Sequence, residues 1–99
     1  MRYEFEWDPV KERMNIRSHH VSFRQAATVF RDPNHLSVYD VEHSEEEDRW
    51  ITMGFDRGGI LCVVVHTFEQ AGEELRRIRM ISARKATRTE EHQYREANP

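Results

Sequence analysis

Residues 60–65 read ILCVVV, six apolar residues in succession with no polar alternation. A strand of that composition is covered on both faces, so it belongs in the middle of a sheet rather than at its rim. The whole chain has 99 residues, room for one domain (residues 1–99) and one small core. The remaining sequence must therefore supply flanking strands and the layers that cover both faces. The run is too short to cross a bilayer, and the opening MRYEFEWDPV lacks the apolar centre of a secretory signal, so a cytoplasmic protein without membrane contact is expected. The single cysteine, Cys62, lies inside the apolar run and reads as a buried small hydrophobe.

Local patterns supply the other elements. Tyr3, Phe5 and Trp7 alternate with Glu4 and Glu6, the signature of a half-buried strand. Asp8 then Pro9 starts a helix, with Asp8 as N-cap and Pro9 where its missing N–H costs nothing. The helix is expected to run to about Arg17 with Val10 and Met14 facing inward. Ser22 with Gln25 reads as a capping box, and Phe23, Ala26, Ala27 and Phe30 follow the spacing of one apolar helix face. Asp32-Pro33-Asn34 ends that helix. Strands follow at about 36–39, 49–55, 60–68 and 75–83, with DRGG at 56–59 as a hairpin turn. Thr87 with Glu90 caps a last helix ending near Ala97. The class is α+β: an N-terminal strand and two helices, four strands in an antiparallel meander, then a C-terminal helix.

Charge is unevenly placed. The formal net charge is −3, yet residues 76–88, RRIRMISARKATR, hold six cations and no acid, while residues 40–48, DVEHSEEED, hold six carboxylates and no cation. Such blocks suit one surface that meets an anion and another that meets a cationic partner, or simply two solvated surfaces. In a regular strand Arg77 and Arg79 share a face with Ile81, while Ile78, Met80 and Arg84 point the other way. Arg84, Lys85 and Arg88 fall at a strand–helix junction, where free N–H groups and cations would favour a phosphate; charges protecting an edge strand are the plainer reading. His66 could exchange a proton near neutral pH or be packed and hydrogen-bonded. HSEEEDR brings His43, Glu47 and Arg49 together in sequence. The chain has six histidines, but His19 and His20 are adjacent and no HExxH or His/Cys quartet occurs, so no metal site is expected. Ser44 has no nucleophile elbow around it, and no glycine-rich phosphate loop is present.

The ordered set FEWDPVKERMNIRSHHVSFRQAATVFRDP, HSEEEDRWITMGF, LCVVVHT and RIRMISARKATRTEEHQY resembles the BrnT family, toxins of type II toxin–antitoxin operons. The resemblance spans about Phe5 to Tyr94. It implies a RelE-like ribonuclease fold, RNA cleavage that arrests translation, no cofactor, and neutralisation by a BrnA-type antitoxin that binds operator DNA, usually two toxins with two antitoxins. His20 stands where glycine is usual before the second helix, and Glu46 where glycine commonly precedes the matching glutamate. Metal-independent RNA cleavage uses the substrate's own 2′-OH as nucleophile, so the protein needs a proton acceptor, a proton donor and positive charge on the phosphorane. On this reading Arg84, Arg79 and Arg49 clamp phosphate. His66, Glu47 or His43 moves protons, and Tyr94 orients the site. Arg77, Lys85 and Arg88 contact RNA. Glu90 and Tyr94, four apart, could instead lock the last helix onto the sheet. A protein-binding module without catalysis is the alternative, its basic strip docking an acidic antitoxin segment. Direct DNA binding is poorer, because no helix carries a concentrated basic face.

Overall fold

The computed structural model describes residues 2–99. Its centre is β4 (Leu61–His66), buried along nearly its whole length as the apolar run requires. β3 (Trp50–Phe55) and β6 (Leu75–Lys85) flank it, both antiparallel, and β2 (Leu36–Tyr39) completes the meander beyond β3. The two-residue β5 (Glu69–Gln70) pairs with the start of β6. The N-terminal strand β1 (Arg2–Glu6) joins the same sheet and runs parallel to β6. The sheet is therefore mixed rather than wholly antiparallel, in the order β1-β6-β4-β3-β2.

A bulge interrupts β6. Val65 pairs with Ser82 but the next residue, His66, pairs with Met80, so Ile81 is an extra residue. A bulge of one residue reverses the side-chain parity of everything beyond it. Ser82 and Arg84 consequently lie on the same face as Arg77 and Arg79, whereas a regular strand would put Arg84 opposite them. The same reversal turns Ala83 inward beside Ile78 and Met80. On this inner face Cys62, Val64, Ile78, Met80 and Ala83 pack against Val21, Phe23, Ala26, Val29 and Phe30. These come from α2 (Phe23–Ala27), the short 3-10 turn that follows it and the approach to α2. Ser22 accepts from the Gln25 N–H as expected, but the Gln25 side chain donates to Asp56 in the hairpin turn instead of reaching back.

α1 (Pro9–His19) starts as predicted, with Asp8 Oδ1 accepting from the Val10 N–H at 2.8 Å. Its docking differs from expectation: Val10 and Met14 are 52% and 62% exposed, and the buried residue is Asn15. β1 ends opposite Arg79, leaving the edge of β6 open beyond it. The Asn15 amide closes that edge, donating to the Ala83 carbonyl at 2.8 Å and accepting from the Ala83 N–H at 3.1 Å. It also donates to the Val21 carbonyl. One side chain thus does the work of an absent strand. His20, where the resemblance led glycine to be expected, ends α1 in the left-handed region at φ 59°. α3 (Arg88–Ala97) begins with the Thr87–Glu90 capping box and lies on the outer face, where Tyr94 packs edge-on to Phe55.

Replacing Asn15 by Leu strands the Ala83 N–H and carbonyl without partners, and should cost about 2–4 kcal/mol in urea unfolding. Met14→Ala should stay within about 0.5 kcal/mol of wild type.

Candidate active site

The outer face carries an open ion cluster. Arg79 Nη2 donates to both oxygens of Glu47, at 2.6 and 2.7 Å, and Arg49 Nη2 lies 3.7 Å from the same carboxylate. The loop bearing Glu47 is tied at its base: the Asp40 N–H donates to the Arg49 carbonyl at 2.8 Å. Ser44 Oγ accepts from the Arg49 N–H and donates to the Asp40 carbonyl. Ser44 is thus a loop clasp. His43 sits on a single 3-10 turn in this loop, with Nδ1 3.0 Å from the Asp40 carboxylate. A cavity of about 270 Å³ is lined by Glu42, His43, Glu45, Glu46, Glu47 and Arg49.

The hydrogen bond from Arg79 holds the Glu47 carboxyl below the usual glutamate range, with further help from the charges of Arg79, Arg49 and Lys11 against a smaller opposing effect of burial. Glu47 is therefore ionised at neutral pH and can accept a proton. Arg49 is the less satisfied cation: its Nε is buried without a hydrogen-bond partner. Lys11, on α1, was not visible as a site residue in the sequence, because only the docking of α1 against the edge of β6 brings it near Glu47. Arg77 is further along the same face, engaged by Glu4 at 3.2 Å and Glu69 at 3.7 Å.

Arg84 shares the face but is already forked. Its Nη1 and Nη2 donate to the two oxygens of Glu90 at 2.7 and 2.9 Å, while the Thr87 N–H donates to Glu90 Oε1. The Arg84 bond leads the effects that hold the Glu90 carboxyl down to about 2. Lys85 pairs with Cys62 and so belongs to the opposite face, and Arg88 is exposed on α3. The phosphate site expected at the start of α3 is thus filled by the protein's own carboxylate, and its three cations do not converge.

Two other expected site residues are placed elsewhere. His66 is buried on the inner face, with Nδ1 donating to the Thr67 carbonyl at 2.8 Å. Its Nε2 accordingly accepts from the Thr52 hydroxyl at 2.6 Å. Burial lowers its pKa, favouring the neutral ring. Tyr94 donates to Asp32 at 2.6 Å, and burial first, then that bond, pushes its hydroxyl up to about 12. Glu90 and Tyr94 both fasten α3, each through a different partner.

Residues 7–90 match a protein family described as "Ribonuclease toxin, BrnT, of type II toxin-antitoxin system". The chain belongs to the BrnT family. The match includes His43, Glu47, Arg49, Arg79 and Arg84, and stops short of Tyr94. The fold is similar to the crystal structure of the Brucella abortus ribonuclease toxin BrnT, with a TM-score of 0.58 and 22% identity, covering 89% of this chain and 100% of the other. No curated protein sequence matches significantly. As a BrnT-family protein the chain is the toxin of a type II pair, with an antitoxin as its partner, in a family named for ribonuclease action. Among the described residues no helix is long and apolar enough to cross a membrane.

The Arg84–Glu90 brace makes a pH prediction. The folded-state pKa of Glu90, about 2, lies below its ordinary value of 4.5. Its contribution is therefore present above the ordinary value and lost as pH falls through the folded one. The stability advantage of wild type over Glu90→Gln should be full at neutral pH and shrink as pH falls from 4.5 towards about 2. A difference that stays constant over that range would remove the brace.

Proposed function

We propose that this toxin is a metal-independent endoribonuclease that works at Glu47, Arg79, Arg49 and His43 and arrests translation by cutting RNA. The observation that carries the reading is the part-exposed Glu47 carboxylate, whose two oxygens both accept from Arg79 Nη2 and which Arg49 flanks, at a cavity that also includes His43. A phosphodiester entering the cluster competes with Glu47 for the Arg79 guanidinium, since Nη2 alone serves both Glu47 oxygens and a phosphate can accept from two guanidinium nitrogens at once. Once Arg79 turns to the phosphate, Glu47 loses the bond that made it a weak base. It then takes the proton of the 2′-OH as the 2′-oxygen bonds to phosphorus. The bond from phosphorus to the 5′-oxygen breaks, and His43, entering the step protonated on both ring nitrogens, gives its Nε2 proton to that oxygen. Its Nδ1–H is held by Asp40, which leaves Nε2 for the transfer. The products are a 2′,3′-cyclic phosphate and a 5′-hydroxyl. Arg79 and Arg49 carry the charge that accumulates on the phosphorane.

Arg77 and Arg84 extend the cationic face on either side of Arg79, the latter roughly 13 Å away, four register steps across the bulge at about 3.3 Å each. They suit phosphates of neighbouring nucleotides rather than the one being cut. A BrnA-type antitoxin would neutralise the toxin, two with two, and would carry the contacts to operator DNA; the setting is cytoplasmic. A binding module without catalysis is the second reading, favoured by the fact that Arg77, Arg79 and Arg84 already pair with carboxylates that an acidic antitoxin segment could replace.

Cleavage of a long single-stranded RNA in EDTA, paired with growth arrest on expression, separates the two. Glu47→Gln should slow cleavage about 10²–10⁴-fold, the usual worth of one positioned base. Arg79→Ala should lose at least as much, and Arg84→Ala should act mainly through stability and RNA affinity. Folded wild type that binds antitoxin but cuts no RNA would favour the binding module; full activity in Glu47→Gln would remove the assigned base.

A further inference from the structure

A second hollow opens on the inner face, at the same end of the sheet as the ion cluster. It measures about 180 Å³ and is lined by Tyr3, Phe30, His35, Ser37, Trp50, His66 and Phe68. Six of these residues are aromatic or histidine side chains in ring contact with one another: Tyr3, His35 and His66 against Phe30, and Trp50 against Phe68. Phe68 is 41% exposed although its ring meets Trp50 of the sheet. Neither the ion cluster nor the core uses this space.

The hydrogen bonds around the hollow leave little to satisfy. Because the Thr67 carbonyl must accept, His66 Nδ1 is the donor and Nε2 the acceptor, so Thr52 donates to it and Ser37 in turn donates to Thr52 at 2.7 Å. His35 Nδ1 donates to the Asp32 carbonyl at 2.7 Å, which leaves Nε2 as the ring's acceptor, without a hydrogen bond among the described residues. The hollow is therefore walled by aromatic surface and offers one unused acceptor nitrogen. An apolar cavity of about 150 Å³ is enough to admit benzene. This one takes a single planar ring carrying an N–H group.

Charge says what that ring is attached to. Trp50 follows Arg49 directly, and Phe68 follows Thr67, whose N–H and hydroxyl bond the backbone of Arg79 at 3.0 and 3.2 Å. Arg76 is paired with Tyr3 across the sheet and so shares the inner face; among the described residues its side chain makes one hydrogen bond, a 3.4 Å contact with the Leu75 carbonyl. Arg76 borders the slot on its own face, while Arg49 and Arg79 leave the other face at the same end of the sheet, an arrangement that fits a base held on one face and joined to phosphates that pass round the end of the sheet. We propose that the hollow is a nucleobase pocket that holds one pyrimidine of the RNA next to the scissile link and sets where the toxin cuts. This rests on the ribonuclease reading for its consequence, but the binding itself does not.

The chain has two tryptophans, so Trp7→Phe leaves Trp50 as the sole indole reporter. Titrating that full-length protein with UMP, CMP, AMP and GMP should quench Trp50 saturably, with pyrimidine nucleotides binding at least about tenfold tighter, or about 1.4 kcal/mol. Phe68→Ala should abolish the quench while Glu47→Gln keeps it. In wild type, mapped cleavage sites should cluster beside pyrimidines, and Phe68→Ala should flatten that preference. Should a variant fail to fold, nucleotide-induced NMR shifts of the Trp50 indole N–H and the His35 ring in wild type give the same reading. Saturable pyrimidine binding without any RNA cleavage would uphold the pocket and sink the ribonuclease assignment. No saturable response to any nucleotide, or equal binding of purines, would overturn the pocket even if RNA is cut.

Discussion

The extra residue in β6, Ile81, decides what each face of this molecule is for. Without it, Arg84 would turn towards the helices and Ala83 away from them. With it, Arg77, Arg79, Ser82 and Arg84 share one face, and Ile78, Met80 and Ala83 share the other. The core and the cationic surface are therefore two results of one irregularity. β4 makes the irregularity tolerable, because its apolar side chains are buried on both faces and hold their register on either side of the bulge. The edge left open above β1 is closed by Asn15, so α1 is fixed by polar bonds to one residue of β6 rather than by an apolar stripe.

Much of the fold was legible because its signals are local. The apolar run, the Asp8-Pro9 start, the Ser22 cap and the Thr87–Glu90 box each act within a few residues, and each appears where the pattern puts it. The α+β class follows from the order of those signals, and the BrnT resemblance from the ordered segments that contain them. The bulge, the parallel pairing of β1 and the docking of α1 depend on contacts between residues far apart in sequence. A helix with Val10, Met14 and Ile16 reads as apolar on one side, and only the geometry of β6 shows that Asn15 is the residue the fold needs.

The candidate site divides the same way. His43, Glu47 and Arg49 lie within seven residues and were found together. Arg79 was a candidate for its charge, but the carboxylate it holds lies 32 positions away. Lys11 has no sequence signal at all. His66 misleads for a physical reason: a buried histidine with both nitrogens bonded has the same letter as a catalytic one. Arg84 and Tyr94 were legible as important, and their bonds to Glu90 and Asp32 show them fastening α3.

The outer face is, in this account, a set of cations held in reserve by the protein's own acids, with Glu47 both the guard of Arg79 and the base released when RNA displaces it. The direct measurement is the titration of the Glu47 carboxyl carbon by NMR, in the free toxin and with RNA whose 2′-hydroxyls are replaced by hydrogen so that it binds without being cut. In the free toxin Glu47 should titrate below the ordinary glutamate value of 4.5, as Arg79 requires. Bound to the uncleavable strand it should rise to that value or above, because its partner has moved to phosphate and a new anion lies beside it. A Glu47 carboxyl that titrates alike in both states, with the strand demonstrably bound, would contradict the exchange and with it the assignment of Glu47 as the base.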